Sequence, residues 1–262
     1  MSQTNSTLEL RAARLASGAL ALLLLSACTT TTTKHERRAH DAAAYNVQLG
    51  IAYMNKGDIA LAKDKLDRAL AEDPENADVH SARAMLFQRM GDPAKSDSEF
   101  RTALQLAPHD PEVVNNYAVY LCQNGRTNDG VRRFEEAAHN ALYRTPEAAY
   151  TNAGVCLHAA KRDEEARTDF GRALRIKPNF AEAAFQLTNL EFQHGELAPA
   201  RAAIDAFIGS YDATADLLLL GVRVARAQGD RIAAQHYARR LQLDFPGSDQ
   251  VRALAELDRN PG

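Results

Sequence analysis

A glycine returns every 34 residues along this chain, at Gly57, Gly91 and Gly125 and again at Gly195 and Gly229, with Lys161 standing where the missing member belongs. A sequence that repeats at this period is not built around one closed core. Each copy is a supersecondary unit too small to bury its own apolar face, so neighbours must stack. Six copies align: 43–76, 77–110, 111–144, 147–180, 181–214 and 215–248. Numbered from one within each copy, position 20 is small throughout, at Ala62, Ser96, Gly130, Ala166, Ala200 and Ala234. Position 24 is large at Leu66, Phe100, Phe134, Phe170 and Ile204 and fails at Ala238. Position 27 is Ala69, Ala103, Ala137 and Ala173, then Phe207 and Leu241. Position 8 is Gly50, Ala84, Ala118 and Gly154, with Thr188 and Val222 less typical. Position 32 is Pro74, Pro108, Pro178 and Pro246, while Leu142 and Asp212 depart.

These columns resemble the tetratricopeptide repeat, which implies an all-α fold of two antiparallel helices per unit, six units coiling into a superhelix with a concave groove. The physics agrees. Small side chains let helix axes approach, a glycine near position 15 permits the turn between helices, and proline at 32 ends the second helix. A stacked array also needs a polar terminal cap. Ser248 can N-cap a last helix through Val251, Leu254 and Leu257, whose spacing gives one apolar stripe within 249–262. Two extra residues around Tyr143-Arg144-Thr145-Pro146 lengthen the connection between the third and fourth units, and Pro146 suits the first turn of the next helix.

The N-terminus carries a different signal. Arg11 and Arg14 precede an uncharged stretch over 15–25, a positive region followed by a short apolar one, as in export signals. Extended to thirteen residues it would span about 20 Å as a helix, against roughly 30 Å of bilayer hydrocarbon, so a permanent span is disfavoured. The stretch ends in Leu25-Ser26-Ala27-Cys28, which resembles a bacterial lipobox. That resemblance implies a signal peptide over 1–27 and lipidation of Cys28, whose acyl chains would hold the protein at a membrane. Thr29 follows where an aspartate would signal inner-membrane retention, so the periplasmic face of the outer membrane is expected. Residues 28–42 begin with Thr29 to Thr33 and Lys34-His35-Glu36-Arg37-Arg38, lack apolar periodicity, and read as a flexible tether.

Charge and chemistry narrow the function. Lys and Arg number 31 against 34 Asp and Glu, which excludes a polycation that coats nucleic acid. Histidines 80, 109, 139, 158, 194 and 236 are scattered among units, with no His-Glu-x-x-His and no glycine-rich phosphate loop. Paired acids such as Glu135-Glu136 and Glu164-Glu165 read as solvated helix faces. No catalytic residue, metal, cofactor or small-molecule substrate is expected. Cys122 and Cys156 fall on adjacent first helices, and a disulfide between them is favoured over two buried thiols, provided their side chains point at one another.

What remains is binding of another polypeptide. In tetratricopeptide repeats, first-helix positions 2, 5, 9 and 12 commonly face the concave side. Unit one places Ala44, Val47, Ile51 and Met54 there, an apolar stripe expected to be exposed because Leu49, Tyr53 and Leu66 supply the core; the alternative is atypical packing that buries it. Units three and four present Asn115, Asn116, Val119, Thr151, Asn152 and His158, and unit five Phe185, Asn189 and Phe192. Asparagines there can grip a peptide backbone by donating and accepting together. The lysines that clamp a C-terminal carboxylate in chaperone-binding relatives are missing, so a chaperone-tail adaptor is disfavoured.

A closer likeness lies in Asn115-Asn116-Tyr117-Ala118 with Leu121-Cys122, in Asn152-Ala153-Gly154-Val155-Cys156, in Leu217 to Leu220 followed by Gly221, and in Phe245-Pro246-Gly247-Ser248. With the lipobox and the six repeats, these resemble the PilF/PilW family of type IV pilus biogenesis and stability lipoproteins. The resemblance implies a non-enzymatic, pilotin-like role: an outer-membrane lipoprotein that binds subunits of the pilus secretin, helps them reach the membrane and multimerise, and so supports pili and twitching motility. A lipoprotein scaffold for cell-envelope enzymes acting on peptidoglycan is the alternative on the same fold.

Overall fold

A computed structural model describes residues 37–259, and every regular element among them is helical. The helices are α1 (37–55), α2 (Ile59–Glu72), α3 (Ala77–Arg89), α4 (Pro93–Leu106), α5 (Pro111–Gln123), α6 (Thr127–His139), α7 (Pro146–Ala159), α8 (Asp163–Ile176), α9 (Ala181–Gln193), α10 (Leu197–Ser210), α11 (Ala215–Ala227), α12 (Arg231–Asp244) and α13 (Asp249–Arg259). This is the all-α tetratricopeptide arrangement the columns imply. The chain divides into two compact units, one ending at Pro108 and one beginning at His109. The first is centred on Val47, Met54, Leu66, Val79 and Leu86. In the second, the odd-numbered helices α5, α7, α9, α11 and α13 touch in succession as one layer, and α6, α8, α10 and α12 each pack against the odd-numbered helix before them. None of the described helices is long and apolar enough to cross a membrane.

The turns explain the 34-residue signal. Gly57, Gly91, Gly125, Gly195 and Gly229 all have φ between +74° and +80°, the left-handed conformation that closes each first helix. Lys161 adopts it as well, at φ +63°, so the non-glycine member keeps the same backbone at a steric cost. That conformation costs an L-residue roughly 1–2 kcal/mol, and glycine gives part of this back as unfolded-chain entropy. Lys161→Gly is therefore expected to raise stability by about 0.5–1 kcal/mol in urea unfolding. A loss instead would show that the lysine side chain makes a stabilising contact.

The small and large columns are two sides of one contact. A Cβ on Gly154 would sit 2.5 Å from the Phe170 ring, and one on Gly50 would sit 2.6 Å from Leu66 Cγ. Position 8 is thus small because position 24 of the facing helix fills its space. The last hairpin, which breaks both columns at Val222 and Ala238, keeps the contact one residue earlier: Gly221 lies under the Tyr237 ring, 3.0 Å from where its Cβ would be. Tyr237 is 1% exposed, and its hydroxyl donates to Asp205. That bond and burial push the Tyr237 phenol far above its ordinary pKa, with burial the larger cause.

Helix ends follow local rules. Asp58, Asp92 and Asp230 each accept a backbone N–H of the first turn they cap, as does Thr214, and Pro74, Pro108, Pro178 and Pro246 lie two residues past helix ends. Ser248 Oγ accepts from Val251 N at 3.3 Å, the expected cap of α13, which buries Leu254 and half-buries Val251 and Leu257. Pro146 opens α7. One boundary needs correction: residues 37–42, read as the end of the flexible tether, are helical. Ala42, Ala43 and Ala44 favour a helix, Ala43 is fully buried, and His40 Nδ1 reaches Asp73 Oδ2 at 2.8 Å, so this segment packs against its unit. The expected signal peptide over 1–27, the expected lipidation site Cys28 and the rest of the expected tether to residue 36 lie outside the described residues.

Candidate functional site

The candidate groove residues sort by column. Position 5 is closed in units one, three and four, where Val47, Asn115 and Thr151 are all buried, and stays partly open in unit five at Phe185. Position 9 stays open, with Ile51, Val119 and Asn189 half-buried and Val155 41% exposed. The reason is geometric. First helices lie side by side, and their position-5 side chains fall into the seam with a neighbouring first helix, whereas position 9 projects away from it. Asn115 and Asn152 show the seam directly, with Asn152 Nδ2 donating weakly to Asn115 Oδ1 at 3.4 Å between α5 and α7. The Thr151 hydroxyl is turned back on its own helix, donating to the Glu147 carbonyl at 2.8 Å.

The stripe on α1 is a correction. Val47 is 8% exposed and Met54 is 1% exposed, both in one cluster with Val79, Ala82 and Leu86 of α3, and Ile51 packs against that cluster. Of the four, Ala44 is exposed and Ile51 partly so, while Leu49, assigned to the core, is half-exposed. Val47 and Met54 are bound into the seam by the next first helix, and Arg89 Nη1 of α3 donates to the Met54 carbonyl at 2.8 Å. Two of the four residues, Val47 and Met54, are core in their own unit.

On α5 and α7 the residues do converge. Val119, Asn152 and Val155 line a depression of about 260 Å³ with Gln123 and Ala159 at its edge, and Cys122 and Cys156 form its floor together with Phe134. The two sulfurs lie 2.01 Å apart and the Cα atoms 5.6 Å apart, within bonding reach. Gly130 of α6 leaves room for the Cys122 sulfur, which occupies the space a Cβ at 130 would take. This explains why position 20, alanine or serine elsewhere, is glycine here. No charged side chain lines the depression among the described residues. Apolar walls with an amide at the rim suit an apolar side chain whose backbone hydrogen-bonds to that amide. Asn116 of α5 is half-buried and does not line it.

The other candidates are divided. Phe185 and Phe192 of α9 are half-buried against the core of α9 to α12, which leaves only part of each ring open, and Asn189 sits half-buried between them in sequence. His158 is drawn away from the groove to the helix end, where Nδ1 lies 2.7 Å from Asp163 Oδ1; His194 Nε2 lies 2.8 Å from the other oxygen of the same carboxylate. Hydrogen bonds from these two rings hold the Asp163 carboxyl below its ordinary range, His158 contributing most. Among the described residues no group of three or more His, Cys, Asp or Glu side chains could hold a metal ion. Sequence reasoning passed over Val155, Gln123 and Ala159. Val155 occupies position 9 of its unit, so the repeat pattern itself is the signal that finds it.

Comparison with known proteins places this geometry. The Tetratricopeptide repeat family pattern matches residues 47–111 and 118–181. The type IV pilus assembly protein PilF of Pseudomonas aeruginosa is 33% identical over 215 residues, 82% of this chain and 85% of that protein. A solved structure from the functional characterisation of Pseudomonas aeruginosa PilF aligns with a TM-score of 0.62 at 31% identity, covering 83% of this chain and 98% of that one. The crystal structure of PilW, described as a widely conserved type IV pilus biogenesis factor, aligns with a TM-score of 0.63 at 29% identity, covering 81% and 98%.

Proposed function

The chain belongs to the PilF/PilW family of tetratricopeptide type IV pilus factors, and from that premise we propose that it is a non-enzymatic assembly factor for the pilus secretin. In this reading Cys28 carries the lipid that holds the protein on the periplasmic face of the outer membrane. The α5–α7 depression takes an apolar side chain of a secretin subunit, and the membrane-held pair then multimerises. The observation that supports it most is the exposed Val155 beside half-buried Val119 and Asn152 over an uncharged floor, since an open apolar face on a folded surface ordinarily marks a contact site. The fold supplies a rigid surface and the lipid supplies location. Bond-making chemistry has no part in the mechanism.

Val155→Asp tests it. The side chain is open, so unfolding free energy is expected to change by no more than about 0.5 kcal/mol. Burying the new carboxylate against a partner is expected to weaken binding of purified secretin subunits at least tenfold, about 1.4 kcal/mol, and to reduce heat-resistant secretin multimers on a gel. Undiminished binding with normal multimers would remove the depression from the mechanism. Capture of peptidoglycan hydrolases in place of secretin would favour the envelope-enzyme scaffold.

A further inference from the structure

His80 of α3, only 9% exposed, has both ring nitrogens engaged. Nδ1 lies 2.6 Å from Glu99 Oε2 on α4, and Nε2 lies 2.9 Å from the carbonyl oxygen of Pro74 in the α2–α3 connection. An ionised carboxylate and a carbonyl can only accept, and a neutral imidazole carries a single N–H. Both bonds coexist with an ionised Glu99 only when the ring is imidazolium. Glu99 has reason to stay ionised, because Arg83 Nε donates to its other oxygen at 3.0 Å.

The charged surroundings of His80 come from each neighbouring helix. Glu99 is on α4 and Arg83 on α3 itself; through Arg83 the network reaches Asp67 of α2, which Lys63 also contacts. The connection that supplies the Pro74 carbonyl also carries Asp73, which pairs with His40 of α1, and Asn76, which donates to Asp73 at 3.1 Å and caps α3 by accepting from Asp78 N. The ring of His80 thus leans on the same four-residue connection that steadies the beginning of α1, the end of this unit from which residues 1–36 continue.

We propose that His80 is a proton-operated latch of the first unit: protonated, it ties α4 to the α2–α3 connection on which the start of α1 rests, and on losing its proton it must let go of one of the two. The hydrogen bond to Glu99, offset in part by burial, raises the His80 pKa above its ordinary 6.5. Burial pushes Glu99 up, but hydrogen bonds from His80 and Arg83 hold it below its ordinary 4.5. The signs follow. The contribution of His80 is complete below pH 6.5 and is lost as pH rises through its elevated value. That of Glu99 is complete above pH 4.5 and is lost on acidification. The latch is closed between these limits and opens on the alkaline side.

The experiment is a pH series on the full chain, following the His80 ring by nitrogen NMR and the amides of α1 and residues 73–76 by hydrogen exchange. Expected are two protonated ring nitrogens at pH 6, a midpoint above 6.5, and about a tenfold rise in the opening constant of those amides for each pH unit by which the midpoint is raised. In His80→Gln, which does not titrate, that rise is expected to vanish. A His80 midpoint at or below 6.5, or the same pH dependence in His80→Gln, overturns the latch. Should His80→Gln fail to fold, Glu99→Gln decides: it is expected to lower the His80 midpoint, and an unchanged midpoint overturns the proposal.

Discussion

If the expected Cys122–Cys156 bridge forms, reducing it is expected to lower the stability of the second unit by about 4 kcal/mol, the loop-closure entropy returned to the unfolded chain when a cross-link spanning 34 residues is opened. The Cα separation of 5.6 Å falls in the range a bridge adopts without displacing backbone, so little native strain is released to offset the loss. Urea unfolding with and without a thiol reductant measures the difference. Cys122→Ser with Cys156→Ser should reproduce most of it without reductant. Two thiols freely reactive in the untreated protein, with identical unfolding in both conditions, would count against the bridge.

Phe134→Ala is expected to cost about 3–5 kcal/mol, the range for emptying a fully buried aromatic site. Phe134 is 1% exposed on α6, occupies position 24 of its unit, and lines the α5–α7 depression. Leu142→Ala, at a side chain 82% exposed, provides the control and should stay within about 0.5 kcal/mol. A comparable loss from both substitutions in chemical denaturation would show that residue size, not burial at position 24, governs the cost.

Most of the fold could be read in the sequence because each column records the size of a partner across a contact. Gly154 is small where Phe170 presses on it, and Lys161 marks a turn by its place in the period even though its residue type argues against one. The last hairpin looked irregular only because its contact is offset, with Gly221 and Tyr237 doing what Gly50 and Leu66 do in the first. The groove was less legible. Periodicity tells which face of a first helix points inward, but Val47, Asn115 and Thr151 show that part of that face is consumed by the seam between helices, which a single helix pattern does not encode. The His80 network was hidden for another reason: its members, Asp67, Arg83 and Glu99, come from three helices and have no fixed spacing.

The small residue and the bulky one that rests on it are 16 positions apart in three hairpins, Gly50 with Leu66, Gly154 with Phe170, and Gly221 with Tyr237. Adding or deleting one amino acid within either helix, between the contact and the helix's own end at the turn, rotates the contact residue by about 100° and takes the small residue out from under the bulky one. The same change in a connection does no such damage, and the two additional residues before α7 fall in a connection. Length variation in a protein of this construction is therefore quantised: whole hairpins, or loops, but not helices.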